Sequence, residues 1–218
     1  MTDIAARTDE KTARQARFWD RLAKRYAAMP VRDAPAWEET LLAVREVLRP
    51  HDRVLEIGCG TGGTALRLAP HVADYTGTDI SAAMIAIAAE KPAPLNVTFR
   101  REEAPTAEDR PLDPPVDAVL AFNLLHLVSD LDATLSGVRA HLKPSGLFIS
   151  KTPCLGEMSV FLRLLVPVLQ LVGKAPPVTA LTEADLRTAH PNPSPSPSPS
   201  PNPNPSPSPS PSPSPSPN

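Results

Sequence analysis

The stretch VLEIGCGTGG, residues 54–63, constrains the fold most. An apolar strand runs straight into glycines, and 64–68 (TALRL) then reads as the start of a helix. A strand, a glycine turn and a helix in that order are the first half of a βαβ unit. The following pattern repeats the alternation. Strands are predicted at 75–79, 97–100, 116–122 and 147–150. Ser81 is placed to cap a helix AAMIAIAAE, and Ser129 with Asp132 to cap another that carries Leu131, Leu135, Val138 and Leu142 on one face. Lys143-Pro144-Ser145-Gly146 is expected to end that helix. Strand 116–122 (VDAVLAF) is nearly continuously apolar, as a strand covered on both faces should be. Two helices precede the sheet. One carries Phe18, Leu22 and Tyr26 at four-residue spacing, and the other a stripe of Trp37, Leu41, Val44 and Leu48 ended by Pro50. The expected fold class is therefore α/β, a Rossmann-like, doubly wound, mostly parallel sheet. Ligands of such sheets sit beyond the carboxyl ends of the strands, where the glycine turn lies.

Composition bears on how much of the chain takes part. From Pro191 to Asn218 every second residue is proline, alternating with Ser or Asn, and none is apolar. Such a segment cannot bury a core, so the expected division is a folded domain over 1–190 and a disordered low-complexity tail over 191–218. Net charge is −2, which implies neither nucleic acid nor an anionic membrane as partner, and no protein partner is implied. The two cysteines, Cys59 and Cys154, lack metal-ligand spacing, so no metal is expected. The N-terminus is polar with no signal-peptide core, and the longest apolar run, 158–172, is too short for a membrane span. These features point to the cytoplasm.

Three ligands could occupy a glycine turn. A triphosphate loop needs Lys after the last glycine, and Thr64 stands there. A dinucleotide fingerprint fits Gly58, Gly60 and Gly63, with Asp79 about 20 residues on as the ribose acid. Glu56 opposes that reading, because a pyrophosphate would meet a carboxylate at the strand end. A ligand with a cationic end and a ribose diol suits Glu56, the open glycines and Asp79 together.

With GTDIS (77–81), VTFRREEA (97–104), VDAVLAFNLLHLV (116–128) and LKPSGLFIS (142–150), the chain resembles the class I S-adenosylmethionine-dependent methyltransferases from about Phe18 to Leu186. It is similar to the small-molecule group that includes the ubiquinone and menaquinone biosynthesis enzymes. The resemblance implies S-adenosylmethionine as cofactor and a small-molecule acceptor. It implies that Gly58 and Gly60 contact the methionine part, Asp79 takes the ribose hydroxyls, Ile80 and Met84 flank adenine, Glu103-Ala104 lies near the adenine amino group, and Asn123 contacts the cofactor through its backbone. Glu56 is either a cofactor contact or a structural acid of its own loop. His126 is either a general base or a half-buried packing residue. Tyr26 is either a cover over the cofactor or a core aromatic. Asp113-Pro114-Pro115 precedes strand 116–122 instead of following it, which sets amino-group methylation of nucleobases aside.

The resemblance fails at the C-terminus. Residues 158–172 carry Met158, Phe161, Leu162, Leu165, Leu169 and Val172 on one helical face, which suits either core packing or the wall of an apolar substrate pocket. The proline repeat stands where relatives have their last two strands, so the sheet is expected to lack both and to end at strand 147–150. The leading expectation is a methyltransferase acting on a small acceptor. The alternatives are a truncated, cofactor-binding but catalytically impaired chain and a nicotinamide-dependent oxidoreductase.

Overall fold

The computed structural model describes residues 2–31 and 33–152, with side chains from residue 10 onward. The expectations for 158–172, for the proline tail, for Cys154 and for the absent last strands lie outside the described residues.

Helices α1 (Thr2–Ala28) and α2 (Ala34–Val47) lead into β1 (Arg53–Ile57), α3 (Gly63–Leu68) and β2 (Asp74–Asp79). Then follow α4 (Ala82–Ala89), β3 (Val97–Arg101), β4 (Val116–Phe122), α5 (Leu131–His141) and β5 (Leu142–Lys151). The strands form one parallel sheet in the order β3-β2-β1-β4-β5. The chain order reverses at β1, so the crevice between the ends of β1 and β4 is the topological switch point.

Period-two alternation divides the sheet residues between two apolar layers. Val54, Tyr75 and Leu120 face α2 and α3, joined by Leu41, Val44, Leu48 and Leu68. Leu55, Ile57, Val119 and Ala121 face the other side with Leu125 and Val138. Each fully buried aliphatic side chain contributes about 1.5–3 kcal/mol relative to exposure. The α2 stripe follows the predicted pattern, with Trp37 packed against its layer. A bidentate Glu38–Arg67 pair at 2.7 Å, with the guanidinium over Trp37, ties α2 to α3.

Three local expectations are corrected. The buried face of α1 consists of Thr12, Gln15, Ala16 and Ala23, while Phe18 and Leu22 are half-buried and Tyr26 is exposed. Small and polar residues win there because α1 packs on α4 and covers a polar crevice, as described below. The cap of α5 is Asp130, whose carboxylate accepts from Ala133 N at 2.9 Å; Ser129 is one residue too early. The segment from Lys143 to Gly146 does not merely end a helix. The strand already begins at Leu142, opposite Val116, and a register shift accommodates the extra residues before Ala118 meets Leu147. Lys143 Nζ lies 2.6 Å from Asp117, which fixes the irregularity to β4.

Candidate active site

The turn after β1 is shaped by backbone that only glycine adopts without strain. Gly58, Gly60 and Gly62 have φ of 69°, 54° and 76°. At Gly58 a Cβ would also lie 2.8 Å from Leu124 Cδ1. The turn closes onto β2: Cys59 N donates to Thr78 O at 2.8 Å, and Gly60 N donates to Asp79 Oδ2 at 2.9 Å.

Asp79 ends β2. Its other oxygen accepts from Ser81 N at 2.8 Å. A carboxylate offers about four acceptor positions, so these two bonds orient the group and leave capacity for a ligand. Burial raises its pKa, against the two amide bonds that lower it, and the nearby Asp20 carboxylate raises it further. Ser81 caps α4 as expected, accepting from Met84 N at 3.1 Å.

Glu56 lies on the buried face of β1, only 2% exposed. Tyr75 donates its hydroxyl proton to Glu56 Oε2 at 3.0 Å. Burial pushes the Glu56 carboxyl up to about 7, the tyrosine hydrogen bond opposes that rise, and the Asp79 charge adds to it. Two acids thus stand at the ends of adjacent strands, each costly to ionise alone. A ligand with positive charge and hydroxyl donors offsets both costs.

Beside them opens a cleft of about 2340 Å3. Glu56, Gly58, Gly60, Asp79, Ile80, Met84, Glu103, Ala104 and Asn123 all line it, as do His126 and Tyr26. The predicted set is therefore brought together in one place. Asn123 adopts φ 53° and donates its backbone N–H to Lys151 O at 2.7 Å, turning the chain sharply at the end of β4. Glu103 and Ala104 arrive on the loop after β3. Gly137 of α5 supports that loop: a Cβ there would sit 2.5 Å from the Pro105 carbonyl carbon.

Residues 55–148 match the family model described as a methyltransferase domain. Over that segment the chain is similar to a methyltransferase domain. Among curated relatives, it is similar to the hybrid PKS-NRPS synthetase mpsA of Macrophomina phaseolina, 36% identical over 132 residues and 55% of this chain. It is also 36% identical to polyketide synthase PksR of Bacillus subtilis, over 108 residues and 44% of this chain. The matched segments span 3% and 4% of those two relatives. Among solved structures, the YcgJ protein from Bacillus subtilis aligns with a TM-score of 0.58 at 25% identity, over 70% of this chain and 66% of that one. The DhpI–SAH complex aligns with a TM-score of 0.55 at 28% identity, over 63% of this chain and 66% of that one.

The crevice also contains residues that sequence patterning did not single out. Asp20 of α1 accepts from Ser81 Oγ at 2.7 Å and from Ala83 N at 3.0 Å, so α1 helps to cap α4. Gln15 of α1 donates to Leu127 O after β4. Helix α1 thus bridges the two sides of the cleft. Lys91 Nζ donates to Thr61 O at 2.6 Å, bracing the glycine turn. The signal for Asp20 and Gln15 was present as polar residues on the inward face of α1, which an apolar-stripe search passes over.

His126 Nδ1 is buried with no hydrogen-bond partner among the described residues, and burial lowers its pKa. It is therefore a neutral imidazole near pH 7. Tyr26 is 44% exposed and stacks edge-on against Trp19, so it is a rim residue, not a core aromatic. Burial raises the Cys59 thiol well above its ordinary value, which suits a small packing residue of the turn. Among the described residues no helix is long and apolar enough to cross a membrane, and no group of His, Cys, Asp or Glu has a metal-holding arrangement.

Proposed function

We propose that this chain transfers a methyl group from S-adenosylmethionine to a small, largely apolar acceptor. The observation that carries the reading is the placement of two acids, the buried Glu56 and the part-buried Asp79, near the ends of neighbouring strands beside the glycine turn. In this reading Glu56 meets the cationic methionine end. Asp79, already oriented by Gly60 N and Ser81 N, accepts from the ribose hydroxyls. Gly58 and Gly60 admit the ligand close to backbone, Ile80 and Met84 flank adenine, Glu103-Ala104 lies by its amino group, and Asn123 contributes backbone. A pyrophosphate would add negative charge beside two carboxylates whose pKa values burial already raises, which counts against a nicotinamide cofactor.

Bound there, S-adenosylmethionine supplies an electrophilic methyl that passes in line to an acceptor nucleophile and leaves a thioether. The protein's share is mainly positioning, which can supply roughly 7–11 kcal/mol. His126 lines the cleft and adds a neutral imidazole that accepts the proton the nucleophile loses. Trp19, Met29, Val31 and Trp37 line the same cleft and suit an apolar acceptor. The likeness to segments of polyketide synthases supports an acceptor of polyketide character; the sequence resemblance to the quinone-modifying group is the sole ground for a phenolic one. Both are small and apolar.

The test has two parts. Titration calorimetry should show binding of S-adenosylhomocysteine and none of NAD; the reverse result overturns the cofactor reading. Turnover of methyl-labelled S-adenosylmethionine should then be followed with thioester and phenolic acceptors. His126→Asn should lower kcat by roughly 10²–10⁴-fold, the usual worth of a general base, without changing cofactor affinity. Unchanged kcat removes His126 from the chemistry. Binding without turnover on any acceptor would leave a cofactor-binding, catalytically impaired chain.

A further inference from the structure

The motif residues leave one buried polar partner unexplained. Tyr75 is fully buried in an apolar layer whose other sheet members are Val54, Ala118 and Leu120. An aliphatic residue would fill that layer without bringing a hydroxyl that must be satisfied. The register shows why a tyrosine reaches a useful place. Val54 pairs with Tyr75 and Glu56 pairs with Gly77, so Tyr75 lies one row behind the acid on the same face. Gly77 has no side chain to intervene; a Cβ there would crowd Phe99 at 3.0 Å and Cys59 Sγ at 3.1 Å. The tyrosine ring extends along the sheet, and its hydroxyl ends 3.0 Å from Glu56 Oε2.

We propose that Tyr75 is a positioning residue for the cofactor, fixing the Glu56 carboxylate so that it meets the cationic end of S-adenosylmethionine. The proposal rests on the role assigned to Glu56 above. One carboxylate oxygen is held from behind by a fully buried donor, while Glu56 itself borders the cleft. The groups facing Glu56 are Tyr75 and Asp79 on β2 and Cys59 in the turn; β4 presents Leu120 in register and brings no charge. The tyrosine donor is the group that favours the ionised carboxylate against burial and Asp79. Protonated Glu56 offers no charge to a cation, so affinity should fall as pH drops through about 7. Removing the donor should move that fall to higher pH.

The experiment is calorimetric titration of the full chain across neutral pH, with S-adenosylmethionine and with adenosine, which has no cationic end. Wild type is compared with Tyr75→Phe and Glu56→Gln. A hydrogen bond to a charged group corresponds to about one pKa unit or more, so Y75F should shift the midpoint upward by about one unit and weaken S-adenosylmethionine about tenfold below it. Adenosine affinity should not change. An unshifted midpoint in Y75F, or equal losses for both ligands, overturns the proposal, the second outcome marking a merely structural tyrosine. If E56Q binds S-adenosylmethionine like wild type with the wild-type pH profile, the role of Glu56 fails instead. If E56Q is impaired and Y75F is not, only the role of Tyr75 fails.

Discussion

Replacing Glu56 by Gln should make the ligand-free protein more stable while weakening the ligand. Glu56 is 2% exposed, and burial lifts its carboxyl from the ordinary 4.5 to about 7. The sign follows from proton binding. Between those two values the folded protein holds a proton that the unfolded chain has released, so the contribution of Glu56 to stability falls as pH rises through that window. Above about pH 7 the full cost is present: about 2.5 pKa units, or about 3 kcal/mol. Gln keeps the shape, accepts the Tyr75 hydroxyl through its amide oxygen and carries no charge. At about pH 8 the variant should therefore unfold roughly 6–12 °C above wild type, taking 2–4 °C per kcal/mol for a chain of this size. The gap should shrink toward zero as pH falls to about 4.5, where Glu56 is protonated in both states. Thermal unfolding by circular dichroism over that pH range measures it. Saturating S-adenosylmethionine should narrow the gap at high pH, because the cation offsets the cost in wild type alone. A variant no more stable than wild type at high pH, or a gap independent of pH, would refute the reasoning.

Asp79→Ala removes an acceptor that already orients Gly60 N and Ser81 N. Hydrogen bonds to a charged group are worth about 1.5–3 kcal/mol, so affinity for S-adenosylhomocysteine should fall roughly 10- to 150-fold by calorimetry; a loss under about threefold, or less than 0.7 kcal/mol, would mean that Asp79 does not face the ligand. Gly137→Ala places a Cβ 2.5 Å from backbone of Pro105 and Thr106. Overpacking of that kind costs about 1–3 kcal/mol; thermal unfolding should show the loss, and cofactor affinity should fall with it because the displaced loop carries Glu103 and Ala104. Full stability in that variant would show that the loop yields freely.

The central strands β1 and β4 were legible because parallel strands buried on both faces read as short apolar runs, here followed by Gly58 and Asn123. The glycine turn, Asp79 and Asn123 were legible for the same reason: they stand where strands stop. What escaped were contacts made across elements. Tyr75 reads as an ordinary strand aromatic until the register sets it one row behind Glu56. Asp20 reads as a surface acid until α1 is laid against α4, where it becomes a second cap on the loop that follows Asp79. The inward face of α1 was misread because helical periodicity was sought in apolar residues, whereas a helix over a polar crevice presents Thr12 and Gln15 to it. The cap of α5 was off by one residue, since Ser129 and Asp130 both satisfy the local pattern and only backbone geometry separates them.

The positive-φ backbone is gathered at one end of the strands. Gly58, Gly60, Gly62 and Asn123 carry positive φ at the ends of β1 and β4, and the most disfavoured buried acid lies two residues before the first of them. At the opposite ends of the strands, where β4 and β5 shift register, the acid is compensated: Asp117 pairs with Lys143, and its pKa is lowered. A carboxylate that only held its loop together would resemble Asp117, ionised and compensated by a protein cation. Glu56 has no such cation among the groups that set its pKa, only a neutral hydroxyl and a second acid. The missing compensation is positive charge, and the open side of the pair is the cleft. That asymmetry between the two ends of the sheet argues for a cationic ligand without reference to any relative, because it follows from what the chain leaves uncompensated.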